Sequence, residues 1–541
     1  MQATQLATPD ESAAFSQQRA TVQDSKVSRS ERLVRLALER FEIRRTNLDE
    51  PFAIAKNGPR IALMFRGSRD ALRASLARLY RQQEGTTPNS AALADALTAL
   101  EGEALEASPT PVHLRVAEHD GGIVVDLGRK DGCGVTVGAN GWIVRDVSPV
   151  IFRRTPLTGE LPIPERGGHI DLLRDLVNVS KDTWPLVLGW TIGAFFPNIP
   201  HPILMLGGEQ GAGKTTTARN LVALIDPSPA PLRSQPRDPE AWAISAAGSW
   251  LVAVDNVSAI PGWLSDALCK AATGDGWVRR KLYTDGDLAV VAYRRVVALT
   301  SIDAGALRGD LGDRLLLADL ESIPADRRRG EVELERLLAA RRAHIFGAIL
   351  DIVSGVLAKL PDVRLPAYPR MADFAHVLAA LDELQIGRFL EHYLEQRERI
   401  AAEVLEADGV SAAIEDLVKD STWNGTARDL LQRITPEGTR PQEWPASPRA
   451  LIARLRSLVP ALRQIGVHVS IPVKRSSKGR ILTIWRQAQG LPEGPSQPSQ
   501  HSLPTGVGGG GLANHGDGSD GSDGSNGSDC LSPPLSHITV S

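Results

Sequence analysis

Near the middle of the chain stands Gly208-Glu209-Gln210-Gly211-Ala212-Gly213-Lys214-Thr215. Its spacing is G-x-x-x-x-G-K-T, the pattern of a phosphate-binding loop. Glycines let several backbone N–H groups converge on one phosphate, the lysine supplies a positive charge, and the threonine hydroxyl can bind Mg²⁺. The sequence therefore predicts an ATP site whose phosphate contacts come from Gly208, Gln210, Gly211, Ala212, Gly213, Lys214, Thr215 and Thr216.

The flanks of this loop favour the same interpretation. Residues 203–206 are an apolar run that fits a buried parallel strand, and residues 216–224 form a helical pattern with an apolar face. The loop would then present phosphates to the N-terminus of a helix, where partial positive charge favours anions. The alternatives are a plain glycine-rich turn or a dinucleotide fingerprint. The fingerprint fits poorly, because Thr216 stands where its third glycine belongs.

A second strand, which ends in an acidic residue, completes the predicted nucleotide site. Trp250-Leu251-Val252-Ala253-Val254-Asp255 is an apolar strand that ends in a carboxylate, at a separation that suits a strand adjacent to the loop strand. We expect Thr215 and Asp255 to hold Mg²⁺; the alternative is that Asp255 caps the next helix. Asn256 follows, where many ATPases carry a glutamate. Asparagine can orient water but cannot accept its proton, so nucleotide binding is the firmer prediction and fast hydrolysis the weaker one.

Two further positions complete the predicted catalytic set. Residues 296–299 form a third apolar strand, and the polar pair Thr300-Ser301 after it could contact the γ-phosphate or the attacking water. Arg314 precedes an apolar run and could act on a neighbouring subunit's phosphate as an arginine finger. An ion pair with Asp310 or Asp313 explains Arg314 equally well. The predicted catalytic residues are Lys214, Asp255, Asn256, Ser301 and Arg314.

A basic hairpin is predicted between the second and third strands. Residues 273–287 carry turn signals at both ends, and their cations lie beside the aromatic residues Trp277 and Tyr283. Cations with aromatic rings suit single-stranded nucleic acid, through phosphate pairing and base stacking. A solvated basic strand is the plainer alternative. The cations are Arg279, Arg280 and Lys281.

This order of motifs resembles that of superfamily 3 helicases, in particular the AAA+ part of phage and plasmid primase-associated helicases and the ATP-binding proteins of prophages and integrated elements. The resemblance covers roughly residues 110–325 and is most specific over 204–317. It implies a ring, a homo-hexamer with ATP between subunits. It also implies that the three cations of the hairpin grip single-stranded DNA in a central channel, and that Thr300 or Ser301 occupies the sensor position.

The sequence departs from that family at Asn256, where a second acidic residue is usual, and at Ser301, where asparagine is frequent. In the first 165 residues Asp126 is a lone strand acid, without the paired-acid pattern of a primase, so no primer synthesis is expected.

The segment 410–487 reads as three helices followed by two strands, the pattern of a winged helix-turn-helix. Ser447-Pro448 marks the start of the third helix, since serine caps free N–H groups and proline suits the first turn. The segment has 13 Lys and Arg against 6 Asp and Glu, which favours duplex DNA over a purely protein-binding role. The predicted DNA contacts of this segment are Arg449, Arg454, Arg456, Lys474, Arg475 and Lys478.

The remaining composition sets the organisation of the chain. The 541 residues carry a net charge of −3, three widely spaced cysteines, and no apolar run that could span a membrane, so a cytoplasmic protein with no membrane partner is expected. The predicted fold class is α/β, with a P-loop AAA+-like core. We expect a disordered N-terminus (1–28), an α+β region (29–110), a β-rich region and linker (111–167), the ATPase domain (168–325), a helical region (326–409), the winged helix (410–487) and a disordered Gly/Ser/Asp tail (488–541).

Together these features predict an ATP- and Mg²⁺-dependent DNA-associated motor of a mobile element. The alternative is an ATP-dependent DNA-binding regulator or defence ATPase without unwinding activity, which Asn256 favours. A small-molecule kinase fits poorly, since it would leave the basic segments without a role.

Overall fold

The computed structural model describes residues 27–65, 71–274, 276–280, 288–301, 309–365, 367–406, 408–438, 444–471 and 480–487. Within 276–280 and 288–292 it describes the backbone only. Four of the predicted DNA contacts, Lys281, Lys474, Arg475 and Lys478, lie outside these ranges, as do residues 1–26 and the tail from 488.

The N-terminal region packs helices on one antiparallel sheet. Its elements are α1 (Arg29–Arg40), β1 (Phe41–Arg45), β2 (Pro51–Ala55), β3 (Ile61–Met64), α2 (Leu72–Glu84) and α3 (Ser90–Glu106). The helical period of the sequence from Glu31 onward predicts that Leu33, Leu36, Ala37 and Phe41 share one face of a helix. The helix instead ends at Arg40, and Phe41 pairs with Ala55 in the sheet. Pairing and burial in the sheet outweigh the helical period at this end.

The β-rich region is a four-stranded antiparallel meander in the order β4-β5-β6-β7. Its strands are β4 (Val116–His119), β5 (Gly122–Asp126), β6 (Gly134–Gly138) and β7 (Gly141–Arg145), and β8 (Phe152–Arg153) follows. The Asn140-Gly141 pair in the sequence predicts a hairpin with these two residues in its turn. The hairpin forms, but its turn residues are Ala139 and Asn140, and Gly141, at φ 122°, already belongs to β7 and pairs with Gly138. Strand β8 pairs in parallel with β3, so it joins the sheet of the N-terminal region.

The central region is a parallel sheet covered by helices. In chain order its elements are α4 (Asp171–Arg174), α5 (Trp184–Gly193), β9 (Ile203–Gly207), α6 (Lys214–Ile225), α7 (Pro239–Ala247), β10 (Leu251–Val254), α8 (Gly262–Thr273), β11 (Gly276–Arg280), β12 (Leu288–Ala292), β13 (Val296–Thr300), α9 (Gly309–Gly312) and β14 (Leu315–Asp319). Strands β11 and β12 pair antiparallel, so a hairpin forms at this place, but its second strand lies after the predicted range of residues 273–287.

The parallel sheet has the order β10-β13-β9-β14. The sequence predicted the acidic strand β10 directly beside the loop strand β9, and this adjacency is wrong, because β13 lies between them and pairs with both. Every residue of β9, β10 and β13 is buried, so the strands show the continuous apolar runs of a sheet covered on both faces. Such runs identify strands without specifying which strands are neighbours.

Helices and a small second sheet form the C-terminal part. The elements are α10 (Glu331–Lys359), α11 (Ala372–Asp382), α12 (Phe389–Glu406), α13 (Gly409–Leu417), β15 (Trp423–Thr426), α14 (Ala427–Ile434), α15 (Pro448–Gln464), β16 (Val467–Ser470) and β17 (Ile481–Arg486). Ser447 caps α15 as predicted. The sequence pattern missed β15, which pairs with β17 and makes the sheet three-stranded.

Three main hydrophobic cores follow from this arrangement. One lies under α1, α2 and α3, and one lies within residues 405–484. The largest runs without a break from the β-rich region through the parallel sheet into α10, α11 and α12. In the described part of the chain, no helix combines the length and the apolar character that crossing a bilayer requires.

Candidate functional site

The glycine-rich loop, residues 208–215, connects the end of β9 to the start of α6. Gly208, Gly211 and Gly213 have φ values of 127°, 85° and 84°, in the region that favours glycine. A Cβ atom at Gly208 would lie 2.6 Å from the carbonyl oxygen of Leu320, so this glycine is required by a close backbone approach as well. The loop therefore has the backbone conformation that its spacing predicts.

Lys214 opens α6 with its side chain folded back over the loop. Its ammonium donates to the carbonyl oxygens of Gly208 at 2.6 Å and Glu209 at 2.8 Å. The charge is thereby held above the loop at the N-terminus of α6, where an anion would also meet the positive end of the helix dipole.

Thr215 and Asp255 meet across the end of the sheet. The Thr215 hydroxyl lies 3.2 Å and 3.4 Å from the two carboxylate oxygens of Asp255. A hydroxyl and a carboxylate are oxygen donors of the kind that Mg²⁺ prefers, so the pair fits the predicted metal. The described residues include no cluster of three or more His, Cys, Asp or Glu side chains, and Mg²⁺ bound beside phosphates needs none, because phosphate oxygens and water supply its other ligands.

Thr300, at the end of the interposed strand β13, joins this pair. Its hydroxyl donates to Asp255 Oδ1 at 2.5 Å and accepts from the backbone N–H of Asn256 at 2.8 Å. The neighbouring hydroxyl of Ser301 instead donates to the carbonyl oxygen of Val257 at 2.8 Å. Both predicted sensor residues line the cleft that contains Asp255, and the hydroxyl of Thr300 is hydrogen-bonded to this acidic residue. Successive side chains of a strand point in opposite directions, and the sequence did not show which one faced Asp255.

Asn256 lies beside Asp255 with φ at 56°, the left-handed region that few residues other than glycine adopt. Asparagine tolerates this conformation better than most side chains. The residue is exposed and lines the same cleft as Lys214 and Asp255.

The cleft around the loop has a volume of about 1030 Å³. It contains residues that the sequence interpretation missed. Asn178 donates through Nδ2 to the carbonyl oxygens of Ala212 at 2.9 Å and Glu321 at 2.5 Å, and so ties the loop to the segment that follows β14. Nothing in the spacing around Asn178 marked it, because its partners are backbone atoms distant in sequence.

Three consecutive exposed arginines, Arg327, Arg328 and Arg329, line the same cleft. A Cβ atom placed on Gly211 would lie 3.5 Å from a guanidinium nitrogen of Arg328. The run is visible in the sequence, but only the fold shows that it lies over the glycine-rich loop. Together with Lys214 it makes this wall of the cleft positive.

Arg314 is placed away from this cleft. It immediately precedes β14, at the opposite end of the parallel strands from the loop, and its guanidinium lies 3.5 Å from Cys269 Sγ. Arg314 is therefore not among the residues that line the cleft of its own chain. Of the two acids offered as its ion-pair partners, Asp313 pairs with Arg370 at 3.1 Å, and the side chain of Asp310 lies outside the description.

The predicted DNA contacts are distributed over two separate places. Arg279 and Arg280 lie on β11, where only the backbone is described. Arg449, Arg454 and Arg456 are exposed on α15. Of these three, Arg454 forms an ion pair with Asp408, the residue that caps α13, and so has a structural role within the chain.

Comparisons with known proteins bear on two adjoining segments. Residues 170–399 match the family described as actinomycete integrative conjugative element (AICE) replication protein, RepA. Residues 410–499 match the family described as AICE RepA C-terminal domain. A search of curated proteins found no significant match.

The solved structures to which this chain is similar include the apo C-terminal region of NrS-1, at 13% identity over 84% of this chain and 98% of that chain, with a TM-score of 0.34. They also include JCV helicase with a bound small molecule, at 14% identity over 40% of this chain and 66% of that chain, with a TM-score of 0.22.

The two family matches cover the parallel sheet with its helices and the unit that follows, and they make this chain a replication-associated protein.

Proposed function

We propose that this protein is an ATP- and Mg²⁺-dependent DNA-associated ATPase of the AAA+ type that acts in replication of an integrated mobile element. The observation that carries the proposal is the chain of contacts from Thr215 through Asp255 and Thr300 to Asn256, beside the glycine-rich loop. These polar groups come from the first turn of α6 and from the ends of the two parallel strands β10 and β13, and their meeting beside the glycine-rich loop supports a γ-phosphate site there. A polar residue at the end of the interposed strand is what the resemblance to superfamily 3 helicases leads one to expect.

Each residue of the site has a chemical task under this proposal. Lys214 and the loop N–H groups bind the phosphates, and Thr215 with Asp255 holds the metal. Bound Mg²⁺ would neutralise charge that develops on the phosphate oxygens. Thr300 orients the Asp255 carboxylate, and Asn256 orients water without accepting its proton. Arg314, remote from the cleft of its own chain, acts on the nucleotide of a neighbouring subunit in a hexameric ring.

DNA would be held at two places. The β11–β12 hairpin carries Arg279 and Arg280, with Lys281 directly after them, and would contact single-stranded DNA in the ring channel. The C-terminal unit contains three helices and an antiparallel sheet, which supports the proposed winged helix, and its charge excess favours duplex DNA.

Strand displacement on a forked duplex, with wild type beside Lys214→Ala, tests the motor. We expect ATP-dependent displacement by the wild type, none by the variant, and ATP hydrolysis that single-stranded DNA stimulates. Particle mass with an ATP analogue and DNA should give six subunits. DNA binding without displacement would overturn the motor, and absence of ATP binding would overturn the nucleotide site itself.

A second candidate function is a DNA-binding switch in which slow hydrolysis resets a bound state. The observation that favours it is Asn256 beside Asp255, since no carboxylate occupies the position next to the metal-binding acid. Slow turnover that does not respond to single-stranded DNA, together with duplex binding that differs between ATP and ADP, would select this function over the motor.

A further inference from the structure

Helix α15 buries one face and exposes the other. Its buried face consists of leucines at helical spacing, which pack into the core of the C-terminal unit: Leu451, Leu455, Leu458 and Leu462. The buried leucines fix the rotation of the helix about its axis, and this rotation decides which arginines reach solvent.

Three exposed arginines of α15 recur every seven residues: Arg449, Arg456 and Arg463. A seven-residue step turns an α-helix almost two full turns, so the three side chains form one stripe that drifts by about 20° per step. Successive members lie about 10.5 Å apart along the axis, which is close to the major-groove width of about 12 Å. Among the described residues none of the three takes part in an ion pair.

Arg454 belongs to the opposite edge of the exposed face. It is two residues from Arg456, a rotation of about 160° around the helix axis. Its guanidinium is bound to the buried carboxylate of Asp408, which also accepts from the N–H groups of Val410 and Ser411 at the start of α13. Arg454 is thus occupied in joining α15 to α13.

The chemistry of the stripe points to phosphates of duplex DNA. Residues 445–487 contain nine Lys and Arg and no Asp or Glu, so no acid of this segment opposes an anion near the helix. Helix α15 has no aromatic residue. Sites for single strands combine cations with aromatic rings on which bases stack, and α15 offers cations only.

We propose that Arg449, Arg456 and Arg463 contact backbone phosphates of duplex DNA as one stripe and that Arg454 makes no such contact. This inference rests on the proposed DNA-associated function and deepens it. It adds Arg463 to the predicted contacts and removes Arg454 from them.

The test measures duplex affinity of the full-length protein by fluorescence anisotropy, from 50 to 200 mM salt, with a single strand of equal length as a second probe. The variants are R449Q, R456Q and R463Q, with R454Q as the matched control that loses the same charge from the same helix. The affinity K falls as salt rises, and each lost phosphate contact should reduce the magnitude of the slope of log K against log salt by about 0.9. We expect that decrease in the three stripe variants and an unchanged slope in R454Q, with thermal melting used to establish that each variant is folded.

The outcomes separate this inference from the proposed function. Wild-type slopes retained in all three stripe variants, with duplex binding intact, would overturn the stripe and leave DNA association standing. An equal loss in R454Q would overturn the assignment of contacts to one face. A loss confined to the single-stranded probe would overturn the choice of duplex DNA. No duplex binding by the wild type would overturn the duplex-binding part of the proposed function and the stripe with it.

Discussion

Thr300 is buried at the end of β13 and makes two hydrogen bonds, both to the residues that follow β10. It fixes the Asp255 carboxylate and, through the Asn256 N–H, the backbone of the next residue. A hydroxyl in this position orients the predicted metal ligand, whereas the adjacent hydroxyl of Ser301, which lines the same cleft, donates to the carbonyl oxygen of Val257. The two residues differ in role although they are neighbours in sequence.

The pair Thr300→Val and Ser301→Ala tests this difference. Removal of a hydrogen bond to a charged group changes free energy by about 1.5–3 kcal/mol. We therefore expect Thr300→Val to lower the ATPase kcat about 10- to 100-fold, and Ser301→Ala to lower stability with a smaller effect on kcat. Steady-state kinetics and denaturant unfolding measure the two effects. A larger kcat loss in Ser301→Ala would contradict the assignment of Thr300.

Substitutions at Asn256 distinguish the energetic cost of its backbone conformation from the part that its side chain takes in hydrolysis. Its left-handed conformation costs a residue with a Cβ atom about 1–2 kcal/mol, a cost that glycine avoids. We expect Asn256→Gly to raise the free energy of unfolding or leave it unchanged, while kcat falls because the amide that orients water is gone. Asn256→Ala should be the less stable of the two variants. Unaltered kcat in both variants would show that the amide has no part in hydrolysis.

His201 is fully buried against Trp250, with ring centroids 5.4 Å apart. Burial, with a smaller contribution from Arg294, lowers the pKa of His201 from 6.5 to about 3. Since the folded state has the lower pKa, the unfolded chain takes up the proton first, and stability falls as pH decreases from 6.5 toward 3. The slope is at most about 1.4 kcal/mol per pH unit.

We expect His201→Phe to unfold with a weaker pH dependence than the wild type between pH 7 and 5. His201 Nε2 has no hydrogen-bond partner among the described residues, so the substitution breaks no hydrogen bond at this atom. Urea unfolding at several pH values provides the comparison. Parallel curves for the two proteins would mean that His201 is not the source of the acid sensitivity.

At the scale of the elements, the sequence predicted most strands and helices, but it did not predict which strands lie next to each other in the parallel sheet. The loop at 208–215 could be recognised because its chemistry is local and needs a fixed spacing of glycines and lysine. The order of the parallel strands could not, since buried strands carry no mark of their partners. Asn178 and Arg328 were missed for a related reason, because their partners lie far away in sequence.

A buried ion pair joins three elements on the far side of the sheet. Arg115, just before β4, donates from Nε to Asp226 at 2.8 Å, and Asp226 ends α6. The other oxygen of Asp226 accepts from the N–H groups of Trp250 and Leu251, where β10 begins. The pair therefore fixes the end of α6 relative to the start of β10.

Arg115→Met should destabilise the protein by about 3–5 kcal/mol, because it leaves a buried carboxylate without its countercharge. Asp226→Asn in the same chain removes that charge, so the double variant should lose less than the sum of the two single variants. Denaturant unfolding of all four proteins gives the coupling. Strict additivity would show that the two residues do not act as a pair.

At the scale of the whole molecule, the β-rich region and the parallel-sheet region share one core, although the sequence analysis set a domain boundary between them at residue 167. Trp142 of β7 donates to Asp351 of α10 at 2.8 Å, and Ser354 donates to the carbonyl oxygen of Gly138 at 2.6 Å. Proline and glycine between 156 and 168 read as a linker because composition shows local flexibility and does not show long-range packing.

A truncated protein of residues 168–487 should therefore aggregate or melt without a cooperative transition, whereas residues 111–487 should melt cooperatively. The physical reason is the apolar surface that the meander covers in the shared core. Calorimetry and size-exclusion chromatography of both fragments test it. Cooperative melting of the shorter fragment would show that the parallel-sheet region folds without the meander.

Strand β13 has one more consequence. It ends at Thr300 beside the candidate nucleotide site, and it begins at Val296, four residues after the last residue of the β11–β12 hairpin. Hydrogen bonds to β10 and β9 hold it on both sides, so its five residues, about 16 Å long, cannot stretch. Because its neighbours hold it, β13 cannot slide alone. Under the proposed function, loss of a phosphate that displaces Thr300 would therefore move β13 together with β9 and β10, and the hairpin that precedes β13 would be carried along with this part of the sheet.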